Sequence, residues 1–279
     1  MSRWRPATTD CLYVIPDIHG ASGLLDKILK RILPLRKSDG IQDKIVFLGD
    51  YMDRGKDGHK VLDTLIEIKK KYKENVIFLV GNHELLLFKA LGWGAPSSSF
   101  DMWFVNGGYS TVLGYIERAK QDIDPLSINP YRISDLIPEE HKKFLLNNLE
   151  AFYKIDDFVF VHGGCLPADI KKWDKTLVWD KTLNKFVPED LYTLAWDRSL
   201  CRNVMGGINP SWDEVIVTGH NVGKGNGSPI ITDKFLMLDC GSPRQLLVIE
   251  LNSMEAFMAY PDKKRLIKHE LQETNITTS

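Results

Sequence analysis

Five short apolar runs in this chain each end in a polar tip. They are Cys11–Pro16 before Asp17-Ile-His19, Ile45–Leu48 before Gly49-Asp50, Val76–Val80 before Gly81-Asn-His-Glu84, Phe158–Val161 before His162-Gly-Gly164, and Val215–Thr218 before Gly219-His220-Asn221. Runs of this length, rich in Val, Ile and Phe and closed by Gly, read as buried strands. A carboxylate or imidazole at the mouth of a buried strand is costly unless something compensates it. The pattern therefore calls for a fold in which strand ends meet around a shared ligand.

The first three tips lead into segments of helical spacing. Leu24, Leu25, Ile28, Leu29, Ile32 and Leu33 predict one helix over 22–35, with Lys27, Lys30 and Arg31 on its outer face. Val61, Leu62, Leu65, Ile66 and Ile68 predict a second, and Lys69–Lys73 suit its C-terminal end. Leu85–Leu91 predicts a third. Strands alternating with helices give an α/β protein, whose ligands gather at the carboxyl ends of the strands.

Gly92–Ser110 breaks this rhythm with a Gly, Pro and Ser-rich loop. Residues 92–150 are expected to form a mostly helical cap or insertion. No linker isolates it, so 1–279 is read as a single domain. Residues 165–214 read as irregular. Ile230–Thr232, Phe235–Asp239 and Gln245–Leu251 are expected to be antiparallel strands, with a glycine-rich turn at Gly223–Ser228. Residues 1–10 and the last twenty are polar and expected at the periphery.

Composition narrows the function classes. With 279 residues, 43% of them hydrophobic, the chain can bury a large core. A formal net charge of -1 offers no field for a polyanion, so no nucleic-acid partner is expected. The four cysteines form no CxxC pair, which argues against a zinc knuckle or a disulfide framework. No stretch reaches the roughly 18 apolar residues of a membrane span, and no apolar run follows the basic N-terminus. A cytoplasmic location without membrane attachment is the expectation.

Asp17, His19, Asp50, Asn82, His162 and His220 make a mixed ligand set without thiolate, which suits Mn, Fe or Zn. With one bridging aspartate, six such residues could hold two ions, a pair that clamps phosphate groups. Each tip alone reads equally as a polar turn. Of seven histidines, however, His19, His83, His162 and His220 all follow strand-like runs. His59, His141 and His269 lie in polar stretches and are expected at the surface.

Asp17-Ile-His-Gly20, Gly49-Asp-Tyr-Met-Asp-Arg-Gly55, Gly81-Asn-His-Glu84, His162-Gly-Gly164 and Gly219-His220 resemble, in order and spacing, the signature blocks of the phosphoprotein phosphatase family of metallophosphoesterases. Trp196-Asp-Arg198 and Trp103–Gly108 resemble its bacterial and phage branch. That branch often has Gly-His-Thr where this chain has Gly219-His220-Asn221.

The resemblance implies a calcineurin-like sandwich of two mixed β-sheets flanked by helices. It implies Asp17 and His19 on one metal, Asp50 bridging, and Asn82, His162 and His220 on the second, with Mn the expected ion and Fe or Zn alternatives. A metal-bridging hydroxide would attack phosphorus in line. His83 would be the general acid, Asp53 its orienting carboxylate, and Arg54 and Arg198 the phosphate-binding residues. Glu84 is read as structural. The implied activity is dephosphorylation of phosphoserine or phosphothreonine in proteins, or of small phosphoesters. The alternative is a symmetrical diadenosine tetraphosphate hydrolase or another nucleotide phosphohydrolase. The Asp53-Arg54 pair and Gly-Asn-His-Glu favour the phosphatase. A binding module with a degenerate metal site is disfavoured, because no expected ligand is missing.

Overall fold

The strand β1 (Leu12–Ile15) sits in the middle of the larger of two main sheets. A computed structural model describes residues 11–38, 41–93, 100–165, 178–180, 185–187, 191–208, 212–223 and 227–271. The expectations for residues 1–10, for the tip of the Gly92–Ser110 loop, for the centre of the glycine-rich turn and for the extreme C-terminus lie outside the described residues.

After β1 come α1 (Ser22–Ile32), a small hairpin of β2 (Lys37–Ser38) and β3 (Ile41–Gln42), then β4 (Lys44–Phe47), α2 (Gly58–Tyr72) and β5 (Val76–Leu79). α3 (Asn82–Leu91), α4 (Phe100–Trp103), α5 (Tyr109–Ala119), α6 (Pro130–Leu136) and α7 (Glu139–Asn147) follow, and β6 (Leu149–Glu150) returns to the sheet. The helical stretch thus ends at Asn147, and Leu149–Glu150 pairs parallel to β5.

β7 (Phe152–Ile155), β8 (Phe158–Val161), β9 (Val178–Asp180), β10 (Lys185–Val187), β11 (Val215–Thr218), β12 (Ile230–Ile231), β13 (Phe235–Met237), β14 (Leu246–Glu250), β15 (Glu255–Ala259) and β16 (Ile267–His269) complete the described strands. Between β10 and β11 lie helices Leu191–Trp196 and Ser199–Met205, in a region expected to be irregular.

The larger sheet has the order β16-β15-β14-β1-β4-β5-β6, the smaller β12-β13-β11-β8-β7. β1, β4, β5 and β6 run parallel, as do β8, β11 and β13; antiparallel neighbours flank both groups. The last predicted strands are therefore not one antiparallel set. β13 pairs parallel with β11, while β14 crosses to the other sheet and pairs with β1. A fully apolar strand fits either sheet equally well, so its sequence does not choose between them.

The strands obey a period of two. Leu12, Val14, Val46, Leu48, Ile77 and Leu79 face Phe158, Phe160, Val215 and Val217 between the sheets. Ile15, Ile45, Phe47, Val76 and Phe78 face outward onto Leu25, Ile28, Val61, Leu62 and Leu65 of α1 and α2. Fully burying each such side chain is worth about 1.5–3 kcal/mol. Both faces are covered, which is why these strands read as continuous apolar runs. No helix among the described residues is long and apolar enough to cross a membrane.

Two of the histidines expected at the surface are buried. His141 is 1% exposed; its ring is 2.8 Å from the Tyr115 hydroxyl through Nδ1 and 2.8 Å from Asp63 through Nε2. His59 is also buried, against the Tyr115 ring. Both lie where α2, α5 and α7 meet, so charged sequence neighbours misreported them. His269 is half-buried on the edge strand β16.

Candidate active site

The carboxyl ends of β1, β4 and β5 lie side by side, and those of β8 and β11 meet them across the sandwich. The joints are hydrogen bonds of the tips themselves. The amides of Ile18 and His19 donate to the Asp50 carbonyl at 3.0 and 2.9 Å, and the His220 amide donates to Asp17 Oδ1 at 2.9 Å. His162 Nδ1 lies 2.7 Å from the Leu48 carbonyl.

Close approach explains the glycines that precede the expected ligands. Gly49 has φ +105°, and a Cβ there would lie 2.6 Å from the Gly81 nitrogen. A Cβ on Gly81 would collide with the Asp50 carboxylate. His19, Asp50, Asp53, Arg54 and His220 all adopt positive φ, between 46° and 66°. Such conformations cost on the order of 1 kcal/mol each and persist where the surroundings over-determine them.

Glu84, fully buried, supplies that determination. Its Oε2 accepts the amides of Asp50 and Gly81, and Oε1 accepts that of Tyr51, all at 2.9 Å. The Tyr51 hydroxyl donates to the Leu79 carbonyl at 2.6 Å. Burial and the nearby Asp50 charge push Glu84 up to about 7.

All six expected ligands come together. His19 Nε2 lies 3.5 Å from Asp50 Oδ2 and 3.8 Å from Asp17 Oδ2. His162 Nε2 lies 3.4 Å from Asp50 Oδ2 and 3.0 Å from Asn82 Oδ1. The rings of His162 and His220 are 5.1 Å apart. Two groups could each hold a cation, His19 with Asp50 and His83, and Asp50 with His162 and His220; Asp50 belongs to both.

The chemistry of the donor set fits metal ions. His19 Nε2, Asp50 Oδ2 and His220 Nε2 are buried without a hydrogen-bond partner. The other nitrogen of His19 lies 2.9 Å from the Met52 carbonyl, which leaves Nε2 as the lone-pair atom. Burial lowers both His19 and His220 to about 3, so each is neutral, as a ligand must be. Burial, then the charge of Asp239, raises Asp17 well above its usual value, which a cation would reverse. Burial alone would raise Asp50, but the imidazoles of His162 and His83 hold it well below.

His83, a member of the first of these groups, also faces Asp53 and Arg54. Its Nδ1 is 2.8 Å from Asp53 Oδ2, and Nε2 is 3.2 Å from an Arg54 guanidinium nitrogen. Burial disfavours its charge, but Asp50 and Asp53 outweigh burial and raise its pKa. Asp53 is itself clamped. Trp103 Nε1 donates to both its oxygens at 3.1 and 3.0 Å, and the Thr111 hydroxyl donates to Oδ1 at 2.6 Å. The backbone of Arg54 is tied to the same segment, by its amide to the Gly107 carbonyl at 3.1 Å and by its carbonyl to Ser110 Oγ at 2.9 Å.

Arg198 is exposed at the start of helix Ser199–Met205, and its positive charge contributes to lowering His220. The Trp196 ring lies 6.1 Å from that of His220.

Trp103, in the block that resembles the bacterial and phage branch, is fully buried, and its contact with Asp53 was not foreseen. The signal was an indole N–H that needs an acceptor once buried. Asp239 was also missed as a site residue. It follows the apolar run Phe235–Leu238, the same pattern as the other tips.

Two packed mixed sheets with a histidine–carboxylate cluster at their strand ends define a metallophosphoesterase, a hydrolase. The model of the calcineurin-like phosphoesterase family matches residues 12–228, and the chain belongs to that family. Serine/threonine-protein phosphatase 1 of Salmonella typhimurium is 27% identical over 198 residues, 71% of this chain and 73% of that protein. Serine/threonine-protein phosphatase BSL2 of Arabidopsis thaliana is 33% identical over 79 residues, 28% of this chain and 8% of that protein. A solved structure of a cold-active protein tyrosine phosphatase superposes with a TM-score of 0.55 at 17% identity, covering 97% of this chain and 81% of that one. At that identity the likeness concerns the fold.

Proposed function

We propose that this chain is a dinuclear metal-dependent phosphomonoesterase acting on phosphoserine and phosphothreonine in proteins. The observation that carries the reading is the Arg54–His83–Asp53 array joined through His83 to the two groups that share Asp50. The name of the Salmonella relative supports the substrate class.

Asp17 and His19 would hold one ion, Asn82, His162 and His220 the other, and Asp50 both. Two such ions, Mn in the first instance, would supply charge neutralisation at phosphorus and a nucleophile generated from water near neutral pH. Arg54 binds phosphate oxygens through its planar fork, and Arg198 serves as a second phosphate-binding residue. Without substrate, Arg54 donates to His83 Nε2, which requires that atom to be unprotonated. When phosphate draws Arg54 away, Asp53 and Asp50 favour a proton on His83. The imidazole then hands it to the leaving alkoxide. In this reading 1–279 is one metallophosphoesterase domain with a helical cap at about 92–150 beside the site, and the protein is cytoplasmic.

The test is elemental analysis of the folded protein with assays of phosphopeptides, diadenosine tetraphosphate and 2′,3′-cyclic nucleotides side by side. Two transition metals per chain and a preference for phosphopeptides are expected. Folded, Mn-supplemented protein that binds no metal and hydrolyses none of them would end the reading. A preference for diadenosine tetraphosphate would reassign the substrate.

A further inference from the structure

Asp239 sits at a sixth strand tip. It follows the apolar run at the end of β13, which lies beside β11, and the chain on either side of it is pinned to two of the ligand tips. The Leu238 amide donates to the Thr218 carbonyl at 2.9 Å, just before Gly219-His220. The Ser242 hydroxyl donates to the Ile18 carbonyl, between Asp17 and His19.

The side chain is 1% exposed, and Gly241 N–H donates to its Oδ1 at 2.9 Å. Its Oδ2 is buried without a hydrogen-bond partner, like Asp50 Oδ2 and His19 Nε2. A second carboxylate buried beside Asp17 is destabilising unless a positive charge is shared between them.

We propose that Asp239 is a further carboxylate of the metal centre, its free Oδ2 serving the cation that Asp17 and His19 would hold. It is a positioning residue. It adds negative charge and an acceptor at that ion, while Asn82, His162 and His220 serve the other. The proposal rests on the two-metal reading above.

The experiment compares wild type with Asp239→Asn, using Mn as the probe. Binding is followed by calorimetry and by electron paramagnetic resonance, and thermal melts are taken with and without Mn. In wild type, two ions and a spin-coupled signal are expected. In Asp239→Asn, one ion should bind with unchanged affinity and the other about 10–100-fold more weakly. At limiting Mn the uncoupled signal of a single ion should dominate. The metal-free variant should melt higher than metal-free wild type, because a like charge beside Asp17 is gone. The rise in melting temperature on loading should shrink.

A residue that only packs the strand end would lower both melts together and leave both affinities unchanged. That result overturns the proposal. So does failure of both Asp239→Asn and Asp239→Ser to fold, with and without Mn. Wild-type protein that binds fewer than two ions would instead reject the two-metal reading itself.

Discussion

The Nδ1 atom of His83 lies 2.8 Å from Oδ2 of Asp53, and neither side chain is more than 3% exposed. Asp53 cannot turn away from it, because Trp103 and Thr111 hold both carboxylate oxygens. The segment after the Gly92–Ser110 loop is thus mechanically tied to the proposed acid: α4 and α5 fix Asp53, and Asp53 fixes His83. Trp103→Phe keeps the ring and deletes the N–H. One lost hydrogen bond to a charged group, about 1.5 kcal/mol, predicts a roughly tenfold fall in kcat on phosphoserine peptides with metal content unchanged. On p-nitrophenyl phosphate, whose leaving group departs without a proton, kcat should barely change. Equal losses on both substrates would separate Trp103 from proton transfer.

His83→Asn probes the acid directly. It should keep the metals and lower turnover of phosphoserine peptides by about 10²–10⁴-fold. Wild-type turnover on those peptides, in protein shown to be metal-loaded, would remove His83 from the role.

Which parts of this were legible in the sequence follows from range. The strand tips were, because a buried parallel strand must be apolar and its ligand residues follow within a few positions. Lys44–Gly55 shows this: β4, Asp50, Asp53 and Arg54 are all local to it. Trp103 and Thr111 were not legible as the clamp on Asp53, because they lie 50 and 58 positions away in sequence. His141 misled because Asp63, its partner, lies 78 positions away. β14 misled because an apolar strand carries no mark of the sheet it joins. Asp239 had the local pattern, but it was read as the last residue of a strand in an antiparallel set.

Glu84 is predicted to matter more than a neutral isostere allows. It accepts three backbone N–H groups with two oxygens, so Glu84→Gln turns one acceptor into a donor that faces donors. Unpaired buried donors cost about 1–3 kcal/mol each. A lower urea midpoint with unchanged slope is expected, together with weaker Mn binding as the Asp50 loop relaxes. Full stability in the variant would show that the loop holds its strained backbone without Glu84.

The His141 cluster gives a pH dependence remote from the metals. Burial lowers its pKa below the ordinary value of 6.5, although Asp63 opposes that. The folded state then binds fewer protons than the unfolded state, so stability falls as pH drops below 6.5. Asp63, salt-bridged to Arg118, is the acceptor for His141 Nε2. The urea midpoint of wild type should therefore fall further between pH 7.5 and 5.5 than that of His141→Gln. Parallel falls would show that His141 contributes nothing to the acid sensitivity.

His162 should behave in the opposite sense, and in a way that reports on the metal. Burial alone would strip its proton, but the carboxylates of Asp50 and Asp17 beside it hold the pKa up at about 10. In metal-free protein the ring is then doubly protonated throughout the neutral range, while His19 and His220, lowered to about 3, are not. The raised value stabilises the metal-free fold fully below pH 6.5, and that contribution is lost as pH rises towards about 10. A cation on Nε2 must displace this proton, so its affinity should weaken about tenfold for each unit that pH falls within that window. Imidazole nitrogen shifts of the metal-free protein at pH 7.5 test the first statement, and Mn calorimetry in buffers of different ionisation enthalpy tests the second. A neutral His162 ring in metal-free protein, with no proton released on loading, would show that its proton does not compete with the metal.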